Sequence, residues 1–93
     1  MQNNYSQYSN NGFNAIIDVI NQGVNILRNN ISAPINYSIV QAWQNYAKFV
    51  LKTYASSNSY LEYLNFLTAI IYLPPQEQLN QSINKLLELA RRI

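Results

Sequence analysis

Between the polar run Ser56-Ser57-Asn58-Ser59 and the pair Pro74-Pro75 lies SYLEYLNFLTAIIYL, residues 59–73, the most apolar stretch of the chain. Tyr60, Leu61, Leu64, Leu67 and Ile71 recur at helical intervals. Tyr63, Phe66, Ile70 and Leu73 widen that stripe and leave Glu62, Asn65, Thr68 and Ala69 as a narrow non-apolar side. A helix apolar on nearly all sides has to be covered on nearly all sides. The segment therefore predicts a central core helix with the other segments as its cover, or one whose second face, including Tyr63 and Phe66, docks on another subunit. Ser59 with Glu62 fits a capping box, in which each side chain satisfies the other residue's amide. Fifteen residues fall short of the roughly 20 needed to span a bilayer, so no membrane span is expected.

The flanking segments carry the same helical period. Residues 1–11, MQNNYSQYSNN, are polar and aperiodic, with too little apolar surface to offset the entropy of ordering, and read as a disordered arm bearing Tyr5 and Tyr8. From Asn11, which suits an N-cap, Phe13, Ile16, Ile17, Ile20, Val24, Leu27 and Ile31 mark a helix over about 12–30. Gly23 falls inside it, either a weak point or the close approach of another helix. Pro34 breaks the pattern and suits the first turn of a second helix over about 35–55. Its stripe is Ile35, Ile39, Trp43, Tyr46, Ala47, Val50 and Tyr54, with Phe49, Leu51, Lys48 and Lys52 off it. Pro74-Pro75 forces a turn into a helix over about 75–92, striped by Leu79, Ile83, Leu86, Leu87, Ala90 and Ile93. Gln78, Gln81, Lys85, Glu88 and Arg92 take the opposite side, with Glu88 and Arg92 one turn apart as an ion pair; Leu89 falls outside the stripe. No segment alternates with a period of two, so no strand is expected. The fold class is all-α: one compact, four-helix bundle-like domain over 12–93, with a flexible arm over 1–11.

Composition narrows the chemistry. With no cysteine and no histidine, thiolate nucleophiles, disulfides, imidazole bases and the commonest transition-metal ligands are absent. The acids are Asp18, Glu62, Glu77 and Glu88, and their spacing brings no two together as a catalytic pair. Gly12 and Gly23 are the only glycines, so there is no phosphate-cradling loop and no nucleophile elbow. No enzyme activity, cofactor or metal is expected. Fifteen asparagines and eight glutamines do the solubilising work usually done by charge. The N-terminus, with no basic residue before Arg28 and no early apolar run, does not resemble a secretory leader, which points to the cytoplasm, or a virion for a viral gene.

Two kinds of binding remain. The net charge of +2 is a weak attraction for nucleic acid. A helix-turn-helix built on the second and third helices fails, since the third would present hydrocarbon to base edges. Lys48, Lys52, Lys85, Arg91 and Arg92 gathered on one side, with Tyr5 and Tyr8 stacking on single-stranded bases, form the alternative reading. The leading expectation is protein–protein interaction, most simply a homo-oligomer, otherwise another protein. The third helix carries more apolar surface than one small bundle needs. Phe49, Leu51 and Leu89 lie off the core stripes, and Trp43, eight tyrosines and three phenylalanines supply the aromatic side chains that interfaces favour. Phe49, Leu51, Leu89, Tyr63 and Phe66 are the candidate interface residues.

In being small, helical, rich in Asn, Gln, Tyr and Ile, and free of Cys and His, the chain resembles small proteins of crenarchaeal viruses and plasmids. That resemblance spans the whole chain, rests on composition and no motif, and implies a virion component, a host-directed adaptor or a small regulator.

Overall fold

In the computed structural model, which describes residues 4–30 and 34–92, with side chains from Asn11 onward, four helices follow in order: α1 (Asn4–Asn29), α2 (Tyr37–Tyr54), α3 (Ser57–Ala69) and α4 (Pro75–Ala90). There is no strand among the described residues. The helices start where the backbone finds acceptors for its first amides. The Asn36 side chain takes the Ser38 amide at 2.9 Å and opens α2. The Ser56 side chain takes the Ser59 amide at 3.1 Å and opens α3. Pro75 fills the first position of α4, where a missing amide hydrogen costs nothing.

Two of these starts correct the sequence reading. α2 begins at Tyr37 and leaves Pro34 outside it. Ser59 is not the cap of α3: it lies inside the helix and is buried, while Glu62 pairs with α4. A third difference is at the N-terminus, where α1 is already helical at Asn4. The described backbone of the polar stretch, from Asn4, belongs to α1. Gly12 packs under Tyr54, where a Cβ would lie 3.6 Å from the tyrosine Cβ, and this anchors α1 against the end of α2. Once a helix is anchored, each further residue adds a hydrogen bond, so polar residues continue it backwards at little cost.

The larger correction concerns the centre. Among the described residues, α2 and α4 each touch the other three helices, whereas α1 and α3 do not touch each other. The middle of the domain is therefore the α2–α4 pair, with α1 on one side and the apolar segment α3 on the other. Only Ser59, Tyr63 and Leu67 of α3 are buried; Leu61, and Ile71 and Tyr72 beyond its end, are exposed. The core is filled by Ile16, Val19 and Ile20 of α1, Val40, Trp43, Ala47, Val50 and Leu51 of α2, and Leu79, Ile83, Leu86 and Leu89 of α4, with Tyr63 and Leu67. Gln78 closes the α3–α4 turn from within: its side-chain amide donates to the Ile71 carbonyl at 3.1 Å and the Leu73 carbonyl at 2.9 Å. Both carbonyls lie in the turn beyond α3, where no helical ladder supplies them a donor.

Candidate functional site

Among the described residues the fold leaves an apolar line open along α2. Ile39, Ala42, Tyr46, Phe49 and Thr53 are all exposed. Their spacings of three, four, three and four residues keep them on one line of the helix. Phe49, at 65% exposure, is its most prominent side chain, and Ile39 and Tyr46 are each nearly half exposed. The line arises because α2 turns Val40, Trp43, Ala47, Val50 and Leu51 inward, and among the described residues no other helix covers its outer side. Ile39, Tyr46 and Tyr54, expected in the core, are displaced to the surface, and Leu51 takes the buried place. The Thr53 hydroxyl turns back to the Phe49 carbonyl at 2.9 Å, so it presents mainly its methyl.

The other interface candidates divide. Leu51, Leu89 and Tyr63 are fully buried core residues and are not available to a partner. A stripe drawn through the most apolar residues missed Leu51 and Leu89 because helix crossing rotated the true core line off it. Phe66 is half-buried, with the Lys85 ammonium 5.5 Å from its ring centre.

The basic residues do not gather. Lys85 and Arg92 are engaged with carboxylates: Lys85 Nζ lies 2.6 Å from Glu62 and 3.2 Å from Glu88, and Arg92 lies 2.7 Å from Glu62 and 3.0 Å from Glu88. The expected Glu88–Arg92 pair is thus present, as part of a neutral four-residue network tying α3 to α4. The Arg92 and Lys85 hydrogen bonds hold the Glu62 carboxyl down at about 2, and Glu62 in turn raises both bases above their ordinary values. Lys48 is half-buried beside a groove of about 340 Å³ between α2 and α3, among Tyr37, Gln44, Leu64 and Thr68. Lys52 flanks a cleft of about 420 Å³ with Ser56 and Tyr60, where α2 turns into α3. Arg91 is exposed at the end of α4. Tyr5 and Tyr8 lie on the first turns of α1, outside the described side chains.

Polar groups missed by the sequence reading sit in the core. The Gln44 amide donates to the Ser82 hydroxyl at 3.0 Å, both buried. Beside them the Tyr63 hydroxyl is buried without a hydrogen-bond partner. Burial drives its titration well above the ordinary phenol range, opposed in part by nearby Ser82. Their only sequence signal is position: Gln44 falls one residue after Trp43 and three before Ala47, on the inward side of α2.

Among the described residues no three of His, Cys, Asp or Glu converge on a metal site, and no helix is long and apolar enough to cross a membrane. The architecture defines an all-α, four-helix domain. Compared with known proteins, the chain matches no family model, no curated protein and no solved structure.

Proposed function

We propose that the domain is a non-enzymatic protein–protein interaction module that associates with copies of itself through the outer face of α2. The observation that carries this reading is the line Ile39, Ala42, Tyr46, Phe49 and Thr53, apolar, exposed and on one face of a helix already packed on its other side. Single exposed apolar residues are ordinary, but five in register along two heptads, with two aromatic side chains among them, match the aromatic-rich surface of an interface. The compositional resemblance to small crenarchaeal viral and plasmid proteins supports an assembly or adaptor role. The engagement of Lys85 and Arg92 with Glu62 and Glu88 removes two of the five bases from a nucleic-acid reading.

The test is the solution mass by light scattering across a concentration series, for the wild type and Phe49→Glu. The wild type is expected to rise above the 10.7 kDa monomer as concentration increases, while Phe49→Glu stays monomeric and equally helical. A wild type that remains monomeric throughout, or an oligomer unchanged by Phe49→Glu, overturns the reading.

A further inference from the structure

Resting on self-association through α2, we propose that two copies pair antiparallel, α2 against α2, about a two-fold axis that crosses the seam at the level of residue 44, next to Asn45. Ile39, Tyr46 and Thr53 repeat every seven residues, as do Ala42 and Phe49, and the two series are offset by three. This is the seam geometry of paired helices, in which each side chain enters a hole between side chains of the facing helix. At 1.5 Å per residue the line is about 21 Å long.

Side-chain size selects the direction. In an antiparallel pair the two series face each other, so Ile39 lies against Phe49 of the other copy and Ala42 against Tyr46. Each layer between Ile39 and Phe49 then joins a larger side chain to a smaller one, the arrangement that interdigitates without voids, while Thr53 lies level with residue 35 of the other copy, beyond the start of its α2. A parallel pair puts Ala42 against Ala42 next to layers of Tyr46 on Tyr46 and Phe49 on Phe49. The aromatic layers hold the helices apart and leave a gap at the alanines.

Charge selects the same direction. The seam itself carries no charge, so it offers nothing to an acidic or basic partner and is complementary to itself. α2 has no acidic residue, and its two lysines, Lys48 and Lys52, both lie in its C-terminal half. Parallel pairing crowds four ammonium groups at one end; antiparallel pairing sends two to each end and opposes the helix dipoles. Asn45, exposed beside the axis, meets its own copy, and an amide donates and accepts at once. The two-fold closes on itself, so association stops at the dimer. A seam of two heptads is smaller than the roughly 800 Å² per partner of a standard interface, so the dimer dissociates on dilution.

Because the chain has no cysteine, single Cys substitutions place spin labels unambiguously. Asn45→Cys, Ser38→Cys and Lys52→Cys put labels on exposed positions flanking the seam. Antiparallel pairing offsets the two labels along the axis by about 3, 18 and 24 Å respectively, so the pulsed dipolar distances increase in that order. Equal distances at all three positions mean parallel pairing, which overturns this inference and leaves self-association standing. Absence of any intermolecular distance in a sample shown to be monomeric by mass overturns both. Combining each label with Phe49→Glu is expected to abolish the dipolar signal and raise the dissociation constant at least about a hundredfold, since two copies of the residue are lost per dimer. Distances unchanged by Phe49→Glu place the contact on another face and overturn both.

Discussion

Gly23 of α1 and Trp43 of α2 meet so closely that a Cβ on the glycine would lie 2.6 Å from the indole ring. The same indole donates its Nε1 hydrogen to the Val19 carbonyl at 2.8 Å, one turn earlier on α1. The absent side chain and the hydrogen bond together fix how near α1 comes to the central pair. Ile83 of α4 closes the third side, 3.0 Å from where that Cβ would stand.

Gly23→Ala therefore sets two effects against each other. No glycine among the described residues has a positive φ, so alanine gains about 1 kcal/mol of helix propensity. Against this, the methyl overlaps ring atoms held by a hydrogen bond and by Ile83, and overpacking of that kind costs about 1–3 kcal/mol. A lower melting temperature by circular dichroism is the expected outcome. A higher one would mean that α1 moves off Trp43 freely.

Tyr63→Phe is expected to be neutral or stabilising, by up to about 1 kcal/mol. The hydroxyl is fully buried and unpartnered, so the folded state carries its desolvation cost without a compensating bond. The ring, which fills the space between α3 and α4, is retained. Urea denaturation of the two proteins decides the matter, and a clear loss of stability would show that the hydroxyl bonds with Ser82 in solution.

Glu62 makes stability depend on pH in the acid range. Its carboxyl is lowered from 4.5 to about 2 in the fold, first by the Arg92 hydrogen bond and then by that of Lys85. A depressed folded-state value means the unfolded chain takes up the proton first as pH falls. The stabilisation is complete above about 4.5 and is lost between there and about 2. Melting temperature is expected to fall through that window and to fall less in Glu62→Gln. Because the network lies at the surface, added salt should weaken the difference. Identical acid profiles for the two proteins would show that the network contributes nothing in solution.

The parts of this fold legible in the sequence were those set by local chemistry. The four helices, the turn at Pro74-Pro75 and the Glu88–Arg92 pair follow from period, punctuation or one-turn spacing, and the tight approach at Gly23 is one of the two readings its position offered. What depends on which helix lies beside which was not legible. Residues 59–73 are the most apolar, yet apolar content does not say how many neighbours a segment has, and among the described residues α3 touches two helices. The crossing of α4 over α2 turns Leu89 and Leu51 inward and Leu87, Ile39 and Tyr46 outward, a rotation of one position that a wheel drawn from hydropathy does not resolve. Gln44, Gln78 and Ser82 enter the core because they satisfy one another or the carbonyls of the α3–α4 turn, a reason that exists only after the helices have met. The α2 seam was half visible, through Phe49, and its continuity with Ile39 and Tyr46 emerged once those two were found outside the core.

Leu89 and Phe49 were equivalent on the sequence, both apolar and both off the stripe, and the structure separates them into a core residue 1% exposed and a surface residue 65% exposed. The same substitution should therefore have opposite consequences. Leu89→Glu places a carboxylate among core side chains without a partner, at a cost of several kcal/mol, a large part of what a domain of this size holds in reserve. Even Leu89→Ala is expected to cost about 2–5 kcal/mol. Phe49→Glu replaces an exposed ring on an outer helix face, where changes are usually within about 0.5 kcal/mol. Far-ultraviolet circular dichroism should show helicity lost or the melting temperature sharply reduced for Leu89→Glu, and little change for Phe49→Glu at concentrations where the wild type is monomeric. Equal tolerance of both would mean that α4 does not bury Leu89 against the central pair, and the arrangement of α1 and α3 on either side of it would have to be redrawn.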